Sequence, residues 1–395
     1  MSQQTSQTER PARKAVPFDV AHPAEGAASS DAPARAPQAS GPTESVVRPI
    51  ASGVIDLIGD TPLIELARFG ASRGAGARIL GKAEFLNPLG SVKDRIAWAI
   101  IRAAEDSGQL RRGDLIVDIT SGNTGIALAA IAAGRGYRTK FYLGDNISPD
   151  KRTLLEALGA ELVTVPNSLF LDPEARDILF ARAQEENPGA FIADQLNNPA
   201  NPAAHHATTG PEIWRDTAGQ VDVLVAGVGT GGTSAGAGRS LKERKPEVRV
   251  VIAEPGAASV PTEELPYPDE IDGVHQVLDI EEEQLPGNYD AAVVDEVVAV
   301  EAAEAFAAAR ALLHEEGLLV GASAGATLEV AARLAGRPEY AGATIVAILA
   351  DTGERYLSAG VFGPRPSAEH PDPAPDGPRT AAGTGTDDAD DHDES

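Results

Sequence analysis

The chain has 395 residues, 42% of them hydrophobic, a formal charge of −26 and no cysteine. That length can bury a large core, and the missing cysteine excludes disulfides, a thiolate nucleophile and Cys-ligated metal. Residues 366–395 carry −8 and residues 1–45 carry −1, so about −17 stays on the middle of the chain and disfavours nucleic acid through phosphate repulsion.

In chain order, residues 1–45 hold six prolines among Ala, Ser, Gln and Gly with no apolar period, and read as a disordered tail. From Val46 to Pro364 short β-branched runs alternate with longer helical stretches, the pattern of an α/β fold with mostly parallel sheets flanked by helices. Strands are predicted at 78–85, 115–119, 139–143, 161–165, 221–226, 248–253, 297–300 and 343–349. Helices are predicted to begin near Val92, Gly125, Pro149, Pro173, Pro202, Thr233, Glu301 and Gly325. The two βα series on either side of 197–202 predict a two-lobed catalytic domain over 46–364, the smaller lobe about 87–197 and the larger 46–86 plus 198–364. Residues 365–395 are rich in Pro, Gly and Asp and read as a second, acidic disordered tail. No window reaches about 18 apolar residues, so no membrane partner is expected and the expected address is cytoplasmic.

Three segments carry chemistry. The loop Gly227-Val228-Gly229-Thr230-Gly231-Gly232-Thr233 follows a predicted strand and opens a helix, the arrangement of a phosphate cradle. Gly227, Gly229 and Gly232 also satisfy a dinucleotide spacing, with Glu254 as a candidate ribose-binding acid. Thr120-Ser121-Gly122-Asn123-Thr124-Gly125 places small polar side chains and glycines at a helix N-terminus, a nest for a carboxylate. Asn87-Pro88-Leu89-Gly90-Ser91-Val92-Lys93 delivers a lysine onto the first turn of a helix, where the dipole lowers its pKa toward the neutral amine that forms a Schiff base. His205-His206 lacks zinc-site spacing, and His314-Glu315-Glu316 reads as an exposed helix end.

In this order the motifs resemble the fold type II pyridoxal-phosphate enzymes, in the branch of the cysteine synthases and cystathionine β-synthases. The resemblance covers about 300 residues, from Ile58-Gly59-Asp60-Thr61-Pro62-Leu63 through Asn198-Pro199-Ala200-Asn201-Pro202, Thr208-Thr209-Gly210-Pro211-Glu212-Ile213 and Gly321-Ala322-Ser323-Ala324-Gly325 to Asp351-Thr352-Gly353-Glu354-Arg355-Tyr356-Leu357. It implies pyridoxal 5′-phosphate as cofactor, carried by Lys93, which also shuttles the α-proton. Asn123 matches the residue on the phenolic oxygen, Gly229, Thr230, Gly231, Gly232 and Thr233 the phosphate cup, and Ser323 the partner of the pyridine nitrogen. Thr120, Ser121, Thr124 and Gln195 match positions holding the substrate carboxylate; no metal is implied.

The activity implied is β-elimination from an activated serine, O-acetylserine or O-phosphoserine, to an aminoacrylate, then addition of sulfide or another nucleophile. Condensation of serine with homocysteine, as in cystathionine β-synthase, and a β-substituted alanine synthase of a specialised pathway are the alternatives. The resemblance implies a homodimer whose other partners are an amino-acid substrate and a nucleophile. An NAD-dependent oxidoreductase leaves Lys93 and the Thr120 nest without a purpose. Two stretches depart from the family pattern. Asp272-Gly273-Val274-His275-Gln276-Val277 replaces a glycine-rich entrance segment, and Gly144-Asp145-Asn146-Ile147-Ser148 replaces the usual turn of the mobile part. His275 is either a group acting on a second substrate or a solvent-exposed bystander.

Overall fold

A computed structural model of the chain describes residues 50–363 apart from 121, 168, 170–172 and 263–267. The expectations for both tails and for Ser121 lie outside these residues. The chain divides into Met1–Ile50 and Ala51–Ser395, and every described element lies in the second unit.

Hydrophobic runs without alternation make strands that are buried on both faces, as parallel sheets require. The run Thr344–Leu349 is buried at every position and forms a central strand. It belongs to a six-stranded sheet in the order β1-β2-β10-β7-β8-β9. These strands are β1 (Leu63–Glu65), β2 (Arg78–Ala83), β7 (Val223–Gly227), β8 (Arg249–Pro255), β9 (Glu296–Val300) and β10 (Thr344–Leu349). Only β1 runs antiparallel, with Ile64 opposite Gly81. A second, wholly parallel sheet has the order β5-β4-β3-β6, built from β3 (Leu115–Ile119), β4 (Arg138–Gly144), β5 (Glu161–Val165) and β6 (Phe191–Ile192).

The helices are α1 (Ala67–Ser72), α2 (Lys93–Asp106), α3 (Asn123–Arg135), α4 (Pro149–Ala157), α5 (Pro173–Glu186), α6 (Ala200–Ala207), α7 (Thr209–Asp216), α8 (Gly232–Lys242), α9 (Ala302–Glu316) and α10 (Ala322–Ala335). Helix α2 buries Ile96, Ala97, Ile100, Ile101 and Ala104, one stripe at helical spacing. Its partner α3 is alanine-rich and buried on nearly every side, which lets it pack against both α2 and the small sheet.

All eight predicted strands are present with ends within two residues, and the eight predicted helices begin within three residues of their expected starts. The sequence reading missed β1, β6, α1 and α7. The first two have three and two residues, too few to show a period. Helix α1 has no side-chain cap of its own. Its free N–H groups at Arg68 and Phe69 donate instead to Glu316 Oε1, at 2.7 and 3.0 Å. Glu316, read from sequence as an exposed helix end, is therefore a cap for another helix.

Candidate active site

The C-terminal ends of β7 and β10 and the N-termini of α2, α8 and α10 converge on one cleft, lined by Val92, Lys93, Gly227, Gly229, Thr233 and Ser323 among others. The Lys93 turn and the start of α10 reach it through turns held by backbone hydrogen bonds. Val92 N donates to Ala350 O at 2.8 Å, Thr352 N to Gly90 O at 3.1 Å, and Gly321 N to Asp351 O at 3.0 Å. The turn before α2, the end of β10 and the start of α10 are thereby fixed to one another, so Lys93 and Ser323 line the same cleft.

Lys93 is partly open to the cleft but surrounded by protein. Burial lowers its pKa to about 8, against the pull of Asp351, which raises it. The sequence reading expected the lowering from the helix dipole, whereas desolvation is the larger cause.

Behind Lys93 lies a buried ion-pair network. Arg95 binds Glu84 and Glu212, each at 2.7 Å, and Lys82 binds Glu212 at 2.7 Å. Asp60 N donates to Glu212 Oε1 at 2.9 Å, and Thr61 Oγ1 to Glu84 at 2.7 Å. The Ile58–Leu63 stretch, a motif without a role in sequence, thus ties the first turn of α2 to β2 and α7.

The glycine loop is shaped for close approach. Gly231 has φ +80°, and a Cβ there would lie 2.6 Å from the Tyr289 backbone. A Cβ on Gly229 would lie 2.5 Å from Gly273 O and 3.9 Å from Lys93 Nζ. Asn201 braces the loop by donating to Thr230 Oγ1 at 2.9 Å and to Gln195 O at 2.9 Å, while its own Oδ1 is buried without a partner. His205, which sequence spacing set aside only as a zinc ligand, is buried behind the loop, with Nε2 3.2 Å from Thr233 Oγ1 and Nδ1 2.8 Å from Thr209 Oγ1. Burial lowers its pKa to about 3, so it is neutral and can serve as donor to one threonine and acceptor from the other.

At the nest, Thr120 Oγ1 accepts from Gly122 N at 3.1 Å and Gly125 N at 3.4 Å, closing the start of α3. The Thr124 hydroxyl donates to Gln195 Oε1, and Gln195 Nε2 donates to Ile119 O at 3.3 Å. The structure therefore brings Thr120, Thr124 and Gln195 together around one helix start. The Asn123 amide donates to Asp351 Oδ2 and accepts from Arg355 Nη1, both at 2.7 Å, which leaves one N–H for a ligand. Ser323 stands in the first turn of α10 with its hydroxyl paired to no other described residue. Glu254 accepts from Val277 N at 2.8 Å and Leu278 N at 3.1 Å. It is used in holding that segment and is not free to bind a ribose.

A cleft that joins a glycine loop without Cβ atoms to a lysine of lowered pKa, with a helix start of small polar side chains tied to the same strand ends through Asn123 and Asp351, has the features of a cofactor-binding active site. The chain belongs to the family of pyridoxal-phosphate dependent enzymes, whose model matches residues 54–351. Within that family it is cysteine synthase-like. It is 42% identical over 306 residues to cysteine synthase B of Salmonella typhimurium, covering 78% of this chain and 94% of that protein. It is 41% identical over 308 residues to cystathionine beta-synthase of Apis mellifera, covering 77% of this chain and 60% of that one. The crystal structure of an O-ureido-L-serine-bound lysine-to-alanine mutant of O-ureido-L-serine synthase superposes with a TM-score of 0.71 at 40% identity, covering 80% and 94% of the two chains. Pyridoxal 5′-phosphate is the cofactor, and the residues fit it: the loop has room for phosphate only because no Cβ fills it, and the Ser323 hydroxyl and one Asn123 N–H are left to bind. Among the described residues, no helix is long and apolar enough to cross a membrane.

The fit gives a test at Gly232, where a Cβ would lie 1.8 Å from Asn201 Oδ1. Asn201 is buried and held by two hydrogen bonds, so it cannot yield cheaply. Gly232→Ala is expected to break the Asn201 to Thr230 contact and weaken cofactor affinity at least about tenfold. Spectral titration of the apoprotein reads this, with circular dichroism confirming an intact fold.

Proposed function

We propose that the protein performs β-replacement on an activated serine, O-acetylserine or O-phosphoserine, whose β-substituent leaves and is replaced at Cβ by sulfide. The observation that supports this best is the meeting of the lysine amine, the phosphate loop and the carboxylate nest at one group of strand ends and helix starts. Pyridoxal 5′-phosphate supplies an electron sink for negative charge at the substrate Cα. In this reading Gly229, Thr230, Gly231, Gly232 and Thr233 hold its phosphate with backbone N–H groups and the N-terminus of α8. Asn123 donates to its phenolic oxygen and Ser323 to its ring nitrogen. Thr120, Ser121, Thr124 and Gln195 hold the substrate carboxylate. Lys93 carries the cofactor and moves the proton at Cα. With its pKa lowered to about 8, a useful fraction is neutral amine near pH 7.

The test is to supply the purified holoenzyme with O-acetylserine, O-phosphoserine or serine, then with sulfide or homocysteine, and to follow release of the β-substituent and formation of product. Failure of every activated serine to lose its substituent sinks the reading. A second reading, a β-substituted alanine synthase with a nucleophile other than sulfide, is supported by the likeness to O-ureido-L-serine synthase. A panel of nucleophiles in the same assay separates the two.

The assignment of Ser323 carries its own prediction. A hydroxyl can donate to an unprotonated ring nitrogen, whereas a carboxylate draws a proton onto it and diverts the chemistry from elimination. Ser323→Ala is expected to keep activity within about tenfold. Ser323→Asp is expected to bind cofactor yet lose more than about a hundredfold. Equal turnover per bound cofactor in the two variants would show that Ser323 does not face the nitrogen.

A further inference from the structure

The mouth of the cleft holds cations that the β-replacement reading does not use. Lys151, in the first turn of α4, is the clearest: its side chain is 1% exposed, yet its ammonium donates to Asp272 Oδ2 and to no other described oxygen. An ammonium has three hydrogens to donate. The Tyr356 ring, 4.8 Å away, takes up some of the charge but accepts no full hydrogen bond. The stem of Lys151 lies directly under the carboxylate nest, since a Cβ on Gly122 would come within 2.6 Å of its Cδ. Asp272, by contrast, is 34% exposed and precedes Gly273 and Val274, which line the cleft beside Lys93. Exposed His275 stands beside the glycine loop, its backbone N–H donating to Val228 O at 2.8 Å, and Arg176 is near enough for its charge to act on the imidazole. Asp272 opens one of the two stretches where the sequence departs from its family pattern, and Lys151 lies three residues beyond the end of the other, Gly144–Ser148.

We propose that Lys151 is a specificity-determining residue that reads an anionic β-substituent, phosphate foremost, by exchanging Asp272 for the ligand. Asp272 occupies the ammonium while the site is free of substrate and swings to solvent when a phosphate arrives, a movement that its exposure allows. The incoming dianion finds two idle N–H donors beside the nest that grips the carboxylate of the same molecule. A neutral acetyl group gains much less from the exchange, because it would replace a carboxylate on a buried ammonium with an uncharged acceptor. The inference rests on the β-replacement reading and narrows it to O-phosphoserine.

The experiment compares kcat/KM for O-phosphoserine and O-acetylserine in the wild-type holoenzyme, Lys151→Gln and Asp272→Asn. In Lys151→Gln the loss for O-phosphoserine is expected to be about 10–100-fold and to exceed the loss for O-acetylserine at least tenfold. Asp272→Asn, which leaves the ammonium only an uncharged acceptor for a phosphate to displace, is expected to lower KM for O-phosphoserine several-fold. Equal losses for both substrates in Lys151→Gln, or an unchanged or higher KM for O-phosphoserine in Asp272→Asn, would overturn the proposal. A wild type that turns over neither ester defeats the β-replacement reading instead. Calorimetric titration of the same three holoproteins with inorganic phosphate then decides the inference: tightest binding to Asp272→Asn and loss in Lys151→Gln support it, and equal binding to all three refutes it.

Discussion

Lys93→Ala is expected to give a folded, colourless protein whose turnover is lower by about four orders of magnitude or more. In the proposed function two jobs end together, covalent attachment of the cofactor and proton transfer at Cα, and general acid–base catalysis alone is worth about 10²–10⁴-fold. The cost to the fold is small because the side chain lines an open cleft and takes part in none of the buried ion pairs. A visible absorption band that survives in the alanine variant would mean that another lysine carries the cofactor. The wild type offers a second readout in apoprotein. Only the neutral amine attacks a carbonyl, and burial has lowered the pKa of Lys93 from 10.5 to about 8. The rate of covalent cofactor capture should therefore rise with pH through about 8 and level off above it. An inflection near 10 would show that the amine is as well solvated as a surface lysine.

The second large effect is expected at Arg95, which touches neither nest nor loop. Arg95→Met leaves Glu84 fully buried and Glu212 largely so, with only Lys82 to neutralise them. Removing one partner from a buried ion pair typically costs about 3–5 kcal/mol, because the survivor keeps its desolvation penalty. A urea titration should show the midpoint falling accordingly. Arg215 provides a control. Its 2.7 Å pair with Asp60 is exposed on both sides, so Arg215→Gln should change stability by less than about 1 kcal/mol. Equal midpoints for the two variants would mean that the buried network carries no stability.

The same network sets an acid limit. Burial alone would raise the Glu84 pKa, but the charge and hydrogen bonds of Arg95 outweigh it and hold it at about 2, below the ordinary 4.5. A carboxylate lowered in the folded state contributes stability that is present above pH 4.5 and lost as pH falls toward 2. For Glu84 that contribution is roughly 3 kcal/mol. In Arg95→Met the acid unfolding transition should move to higher pH. A transition that stays in place would remove Glu84 from the account.

What was legible in the sequence was local. The glycine loop, the Thr120 segment and the Lys93 turn are each contiguous segments that open a helix, so their glycines and small polar residues announce them without reference to the rest of the chain. The buried strands were legible for the same reason, since an unbroken apolar run of five or six residues can satisfy itself only inside a parallel sheet. The resemblance carried by the ordered motifs then named the cofactor, and the family match agrees.

The tertiary structure decided everything that depends on residues distant in the chain. Glu212 reaches Asp60 across 152 positions and Arg95 across 117, and nothing near Glu212 in sequence marks it as the brace of the Lys93 helix. His205 sits on a helix of ordinary composition and gains its place behind the phosphate loop only because α6 packs on α8. Helix α1 exists because Glu316, 248 residues away, accepts its first N–H groups. Lys151 reads as one more charge on a surface helix until the fold buries it against Gly122 and sets Asp272 before it. A sequence displays the groups that act through their chain neighbours. The partners of a buried charge are set by where the folded chain returns, because desolvation demands a counter-charge without prescribing which segment supplies it.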